Sequence, residues 1–355
     1  MKILIDINHP AHIHLFKNFT WIMNKKGHKI FFTVRDKEHE VHLLNHYKFN
    51  YISFGKHYSS YVGKIFGMIK FDILLFYYSL RFLPDIYLSH GSIYASHVAW
   101  LLGKPNIALE DTGNLEQIKL YRFFTKVILT PETLPKELGI KQVKYSSNHE
   151  IAYLHKKYYN PNKEIYKYLG INQDQKFCLI RFVSWNATHD KKHKGLTLQQ
   201  KISIVNYLSD KLRIFISSES KLSKELSQYA ISIPPERMHD VLYFAQFYIG
   251  EGATMASEAG ILGTPAIYIN SQIASNCEEL ANYGIIFNFR DFTGVIEKIS
   301  ELLNKNDFKK YCRAQSGHFI QNKIDITELL VWFVEKYPES FEIMRRNPTY
   351  QLNFK

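Results

Sequence analysis

The sequence predicts an α/β protein built from two doubly wound parallel-sheet domains. Three observations carry this. Short continuous apolar runs alternate with helix-length segments, the pattern of parallel strands covered by helices on both faces. That pattern restarts after a polar interval at residues 146–175. The chain has 355 residues, more than one ordinary domain needs, so two of comparable size are expected.

In order, KILIDI (2–7), KIFFTV (29–34), YISF (51–54), DIYLS (85–89), NIALE (106–110) and KVILT (126–130) read as short buried strands. The segment HIHLFKNFTWIMNKKG reads as a helix, with Gly27 where a C-cap glycine belongs. SNHEIAYLHKKYYNPNKEIYKYLGINQDQ, polar and carrying an Asn-Pro turn, reads as the connection. Strands then resume at FCLIRFV (177–183), RIFISS (213–218), FYIG (247–250) and AIYIN (266–270), and the chain after Asp291 reads as mostly helical. The expected organisation is a domain over 1–152, a connection over 153–175, a second domain over 176–335 and a basic tail over 336–355. Open sheets of this kind bind ligands beyond their strand carboxyl ends, so a ligand is expected between the halves.

Composition narrows the function. A hydrophobic fraction of 46% supports packed cores and excludes disorder. Forty-five Lys+Arg against 33 Asp+Glu give a net charge of +12, which favours a phosphorylated ligand, an anionic membrane surface or nucleic acid. The positive residues are dispersed and form no recognised nucleic-acid module, so no nucleic acid is expected as a partner. Cys178, Cys277 and Cys312 form no CxxC and no disulfide framework, which suits a reducing cytoplasm. The N-terminal apolar run is too short for a signal peptide. Residues 62–84 are interrupted by Lys64, Lys70, Asp72 and Arg81, leaving no span of ~18 apolar residues. They read as a helix packed on the sheet, or as one that also touches an anionic membrane with aromatics and lysines.

The densest motif is GEGATMASEAGILGTPAI, Gly250 to Ile267, on a strand–turn–helix unit. Gly250 and Gly252 let backbone approach a ligand, and the N–H groups of Ala253, Thr254 and Met255 form an anion site at a helix start. Glu258, four residues after Thr254, could accept hydrogen bonds from ribose hydroxyls. Read alone, the glycines also fit an ordinary turn.

This string resembles the nucleotide-sugar signature of GT-B-fold glycosyltransferases and of the UDP-N-acetylglucosamine 2-epimerases that share their fold. More narrowly, IDINHPAHIHLFK, LEDTGN, NHEIAYLH and RFVSWNATHD resemble an uncharacterised bacterial and archaeal family related to those enzymes. The resemblance covers roughly residues 1–335. It implies that Gly252, Ala253 and Thr254 hold a nucleotide diphosphate, UDP first, and that Glu258 holds the ribose. No metal and no further cofactor are implied, because helix ends and basic side chains neutralise the diphosphate in such enzymes.

Other segments offer candidates. RFVSWNATHDKKHKG places Arg181, Ser184, Asn186, Thr188 and His189 beyond a strand end, with Lys191, Lys192 and Lys194. It reads as a second phosphate loop or as a solvated basic loop. The epimerases carry a His-Arg pair there, where this chain has Ser-Trp-Asn. Ser217 and Ser218 in FISSE could line the same pocket. PPERMHDVLYFA resembles the base-binding region, with His239 and Asp240 equally suited to a helix start.

In NHPAHIH, three histidines invite a metal, but no acidic or cysteine partner has ligand spacing, so none is expected. His12 matches the loop histidine that faces the donor sugar in inverting GT-B transferases, and its imidazole could act as a general base. His9 and His14 are candidates for the acceptor side or for structure. LEDTGN aligns with the His-Val-Glu-Ala-Gly segment of the epimerases, offering Glu110 and Asp111 as base or sugar ligand, or Asp111 or Thr112 as a helix cap. Glu150, His90 and Ser92 complete the acceptor-side set. The expected activity is transfer of a sugar from a nucleotide diphosphate to a glycan or lipid-linked acceptor, in the cytoplasm or at the inner face of the plasma membrane. The alternatives are a 2-epimerase or hydrolase, and a non-catalytic binding protein.

Overall fold

The computed structural model describes residues 1–56, 58, 61–184, 195–272 and 274–355, with backbone alone at Tyr61, Val62 and Lys64. The chain forms two compact units: Met1–Tyr153 together with Lys323–Lys355, and Leu154–Asn322.

The first unit holds a seven-stranded sheet of order β3-β2-β1-β4-β5-β6-β7. Its strands are β1 (Lys2–Ile7), β2 (Lys29–Asp36), β3 (Tyr51–Lys56), β4 (Ile86–His90), β5 (Asn106–Leu109), β6 (Val127–Pro131) and β7 (Gln142–Tyr145), all paired in parallel. β4, β5 and β6 are buried along their whole length, which explains their unbroken apolar runs. β7, QVKY, alternates half-buried and buried residues at the sheet edge and carries no such run, so the apolar pattern did not mark it.

The second unit holds a five-stranded parallel sheet of order β12-β11-β10-β8-β9. Its strands are β8 (Phe177–Phe182), β9 (Arg213–Ser218), β10 (Tyr248–Gly250), β11 (Ala266–Ile269) and β12 (Ile286–Phe289). β12 is a second edge strand absent from the sequence reading. Its only fully buried residue is Ile286.

The C-terminal boundary differs from the expected one. Helix Ile326–Glu335 buries Leu329, Leu330 and Phe333 in the first unit, and the expected basic tail folds back as helix Glu339–Arg346 and a 3-10 turn at Pro348–Phe354. Tyr350 stacks on Trp332 at 4.8 Å, and the buried Gln351 side chain accepts the Ser146 N–H at 2.6 Å. Aromatic burial and satisfaction of a backbone donor hold the segment down despite its charge.

Helix Tyr61–Phe82 has two apolar faces. Gly67, Phe71, Leu75 and Ser79 are buried at four-residue spacing, with Phe71 and Leu75 packed on Leu4 and Tyr87 of the sheet. Ile65, Phe66, Ile69, Ile73, Tyr77 and Leu80 stand exposed, Ile73 by 62%. No described helix is long and apolar enough to cross a membrane.

Beneath the first sheet's carboxyl edge lies a buried ion pair. Arg35 donates to both oxygens of Asp6, at 2.6 and 2.9 Å, and Thr33 and Ser92 add hydroxyl donors to the same carboxylate. Donors on both carboxylate oxygens make the buried charge tolerable, although Arg35 Nε is left without a hydrogen-bond partner among the described residues.

Candidate active site

Each sheet has one topological switch point, where neighbouring strands send their chains to opposite sides and leave a crevice beyond their carboxyl ends. In the first unit it lies between β1 and β4, and in the second between β8 and β10.

The first switch point gathers histidines. His9 caps helix Pro10–Lys25, its Nδ1 accepting the Ala11 N–H at 3.2 Å. His12, on the first turn, stacks on His90 at the end of β4, with ring centroids 4.3 Å apart. Asp111, just past β5, binds two imidazoles: His90 Nε2 lies 2.9 Å from Oδ1, and His149 Nδ1 lies 3.0 Å from Oδ2. These residues come from the ends of β1, β4, β5 and β7.

The electrostatics follow. Burial, with His90 and His9 beside it, holds the His12 imidazole well below the usual histidine value. Burial works against a charged His90 as well, but the Asp111 charge and hydrogen bond prevail and raise it. Asp111 is held well below the ordinary carboxylate range: its own burial opposes this, and the charges of His149 and His90 outweigh it.

Glu110 stands beside this cluster but is differently engaged. Its Oε1 accepts from Thr112 N and Oγ1 and from Gly113 N, and its Oε2 accepts from Tyr121 Oη at 2.8 Å. It ties the LEDTGN loop into its turn, and Gly113 fits because its φ is +62°. The helix-capping role weighed for Asp111 or Thr112 falls instead to Asn114, which accepts from Glu116 N and Gln117 N. Ser92 caps helix Ile93–Leu101 and donates to Asp6. His14 is buried, 5.4 Å from the Tyr153 ring and 3.3 Å from the Tyr47 hydroxyl, and Glu150 is buried after β7. His149, in the same NHEIAYLH string, was missed because nothing in the sequence links it to Asp111, 38 positions earlier.

The second switch point is made of backbone and a few charges. Gly252 caps helix Ala253–Ile261 and has no side chain, so it cannot cap the first-turn N–H groups of Ala253, Thr254 and Met255. Thr254 is exposed while Glu258 is buried, its Oε1 3.1 Å from His239 Nε2. A Cβ at Gly250 would lie 2.2 Å from the Tyr248 hydroxyl, so only glycine fits that close approach.

Arg181 donates to Ser217 Oγ at 2.7 Å and to Glu219 Oε1 at 2.8 Å, and Ser184 gives its N–H and hydroxyl to Glu219 Oε2. The expected phosphate ligands Arg181 and Ser184 are thus gathered on the Glu219 carboxylate, and Ser217 joins them through Arg181. The Ser218 hydroxyl donates to the Ser220 carbonyl. Glu251, which sequence reasoning passed over, is buried and accepts from Val183 N and Leu196 N on either side of the loop after β8. Asn186 and His189, with Thr188, Lys191, Lys192 and Lys194, lie outside the described residues.

The chain is similar to proteins of two activities on one fold. The Staphylococcus aureus MnaA–UDP structure matches with a TM-score of 0.71 at 12% identity, covering 96% of this chain and 97% of that one. The Neisseria meningitidis UDP-GlcNAc 2-epimerase bound to UDP-GlcNAc matches with 0.66 at 14%, covering 90% and 99%. The Streptomyces glycosyltransferase SsfS6 matches with 0.56 at 11%, covering 93% and 99%. The uncharacterized protein MJ0665 of Methanocaldococcus jannaschii is 26% identical over 281 residues, 75% of this chain and 81% of that one. A family model described as a protein of unknown function, DUF354, matches residues 1–330. The chain therefore belongs to the DUF354 family and has the α/β fold shared by GT-B glycosyltransferases and UDP-GlcNAc 2-epimerases.

Proposed function

We propose that the protein is a sugar-nucleotide enzyme of the GT-B type, transferring a sugar from a nucleotide diphosphate donor, UDP first, to a glycan or lipid-linked acceptor. The observation that carries this reading is the β10–Gly252–helix unit. It offers first-turn N–H groups at a switch point, with the Glu258 carboxylate one turn further on. Helix N–H groups suffice for the diphosphate, so no metal is proposed there and no cofactor beyond the donor.

His12 is the proposed base. It takes the acceptor hydroxyl proton as that oxygen bonds to the anomeric carbon. The bond to the diphosphate oxygen breaks, and its electron pair leaves with the nucleoside diphosphate, inverting the centre. Stacking on His90, itself held by Asp111, positions the His12 ring. Glu110, with three hydrogen bonds inside its own loop and a fourth from Tyr121 on the next helix, shapes that loop.

The second reading is a 2-epimerase or hydrolase, favoured by the higher TM-score of the Neisseria meningitidis epimerase, 0.66 against 0.56 for SsfS6. It predicts consumption of a sugar nucleotide without any acceptor. The exposed stripe Ile65–Leu80, with exposed Trp100 and Phe123, also supports seating on an anionic membrane surface at the cytoplasmic face, where a lipid-linked acceptor would be met.

A thermal-shift screen against nucleoside diphosphates and sugar nucleotides tests the donor site. Ligand at ~100 times its Kd adds ~2.7 kcal/mol, a shift that Glu258→Ala should cut to roughly 0.4–1.4 kcal/mol at the same ligand concentration. Folded protein that shifts with no nucleotide would sink the reading in favour of a non-nucleotide-binding protein.

A further inference from the structure

We propose that His90, Asp111 and His149 form a binding site for one divalent transition-metal cation of the zinc class. One ligand atom from each lies within 4.8 Å of the others, and the two Asp111 oxygens already meet one imidazole each, Oδ1 at 2.9 Å from His90 and Oδ2 at 3.0 Å from His149. Ligand atoms around a tetrahedral zinc at ~2.1 Å sit about 3.4 Å apart, so the set closes on an ion with small side-chain shifts. Two imidazoles and one carboxylate suit Zn²⁺, Co²⁺ or Fe²⁺, whereas Mg²⁺ and Ca²⁺ require mostly oxygen.

The same cluster also holds two orphaned imidazole nitrogens. Buried imidazole nitrogens in native proteins are ordinarily partnered. Here His149 Nε2 and His12 Nδ1 are both buried, and neither has a hydrogen-bond partner in the described protein. Both belong to the same ring cluster, since His12 stacks on His90 and His90 meets His149 edge-on at 5.2 Å. A structural ion pair would need one histidine for this carboxylate. Two on Asp111, with His12 behind them, make a nitrogen-rich cluster in which His90 Nε2 and His149 Nδ1 face the carboxylate where a cation would sit.

The set is preorganised from below. His90 closes β4, a buried strand, and its Nε2 is held on Asp111, which orients the ring. The Asp111 side chain is 29% exposed, which gives an ion an entry path and leaves room for water or a substrate oxygen. Three protein ligands with an open position is the catalytic rather than the structural zinc pattern. A bound cation there would polarise an oxygen ligand. The site is independent of the donor reading, because it is measured on free protein without nucleotide.

Chelator-stripped full-length protein would be titrated with Zn²⁺ and with Co²⁺, the latter read by its visible d–d bands, and melted with and without each ion. One ion per chain and a raised Tm are expected. Asp111→Asn and His149→Gln should each weaken binding by more than about tenfold, the effect that losing even an outer-shell partner has at such sites. His318→Gln, an exposed histidine of the second unit, should not.

Because a cluster variant could unfold, the zinc form of the wild type decides independently. An X-ray absorption shell of two imidazole nitrogens and oxygen at about 2.0–2.2 Å supports the site. A sulfur-containing or all-oxygen shell overturns it. So does wild-type protein that binds neither ion, or binding that survives in both folded variants.

Discussion

At the β1–β4 switch point, four imidazoles gather around one carboxylate: His9, His12, His90 and His149 beside Asp111. At the β8–β10 switch point, the donors are helix N–H groups, flanked by an Arg181–Glu219 pair and a His239–Glu258 pair. The same topology therefore frames two chemistries. Titratable rings in a buried setting suit proton movement or a soft cation. Backbone dipoles suit an anion whose charge must be held without being altered. Residues at the first crevice should control turnover, and residues at the second should control donor affinity.

The sharpest way to break that division is His12→Ala. Loss of a general base should lower turnover by ~10²- to 10⁴-fold, with donor affinity unchanged in equilibrium titration. A variant that loses affinity and keeps its turnover would invert the comparison. Next in size is a stability effect confined to the first unit. Asp6→Ala strands the buried Arg35 guanidinium and should cost about 3–5 kcal/mol in urea unfolding. Glu251→Ala in the second unit removes an acceptor from two backbone N–H groups and should cost less, about 1–3 kcal/mol. Equal costs would mean that the second unit depends on its buried carboxylate as much as the first.

Glu258→Ala sharpens the comparison from the other side. Removing a charged acceptor should raise the donor Kd by about 10- to 100-fold, or ~1.4–3 kcal/mol, with turnover at saturating donor retained. The smallest effect lies away from both crevices. The hydrogen bond that His97 Nδ1 gives to Asp72, 3.0 Å away, raises the His97 pKa, with burial opposing it. A raised histidine stabilises the fold fully below its unfolded value of ~6.5 and loses that contribution as pH rises through the folded value. Both side chains are about a quarter exposed, so the pair should be worth at most ~1 kcal/mol. Asp72→Asn should flatten stability against pH across that window, and an unchanged slope would remove the pair from the account.

The second crevice was readable because its parts are contiguous. Gly250 to Glu258 fall within nine positions, and strand–turn–helix geometry follows from glycine placement and apolar flanks. The partner of Glu258 was less plain. His239 reads equally well as a helix-start residue, and only packing of helix Met238–Phe244 beside helix Ala253–Ile261 brings it to 3.1 Å. Edge strands β7 and β12 escaped because half-buried edges need no continuous apolar run. The expected basic tail escaped because charge on Arg345 and Arg346 masked the buried Gln351 and the Trp332–Tyr350 stack.

Unaided, the sequence determined the fold class, ten of the strands, the exclusion of a membrane-spanning segment and the glycine motif. Each depends on local periodicity or on residues a few positions apart. Tertiary structure alone decided which histidines meet Asp111, which glutamate is already bonded within its own loop, and which unit the C-terminus joins. Parallel strands place their ends side by side only after crossovers, here of roughly ten to thirty residues. His12, His90, Asp111 and His149 thus become neighbours through sheet order, which no spacing along the chain encodes.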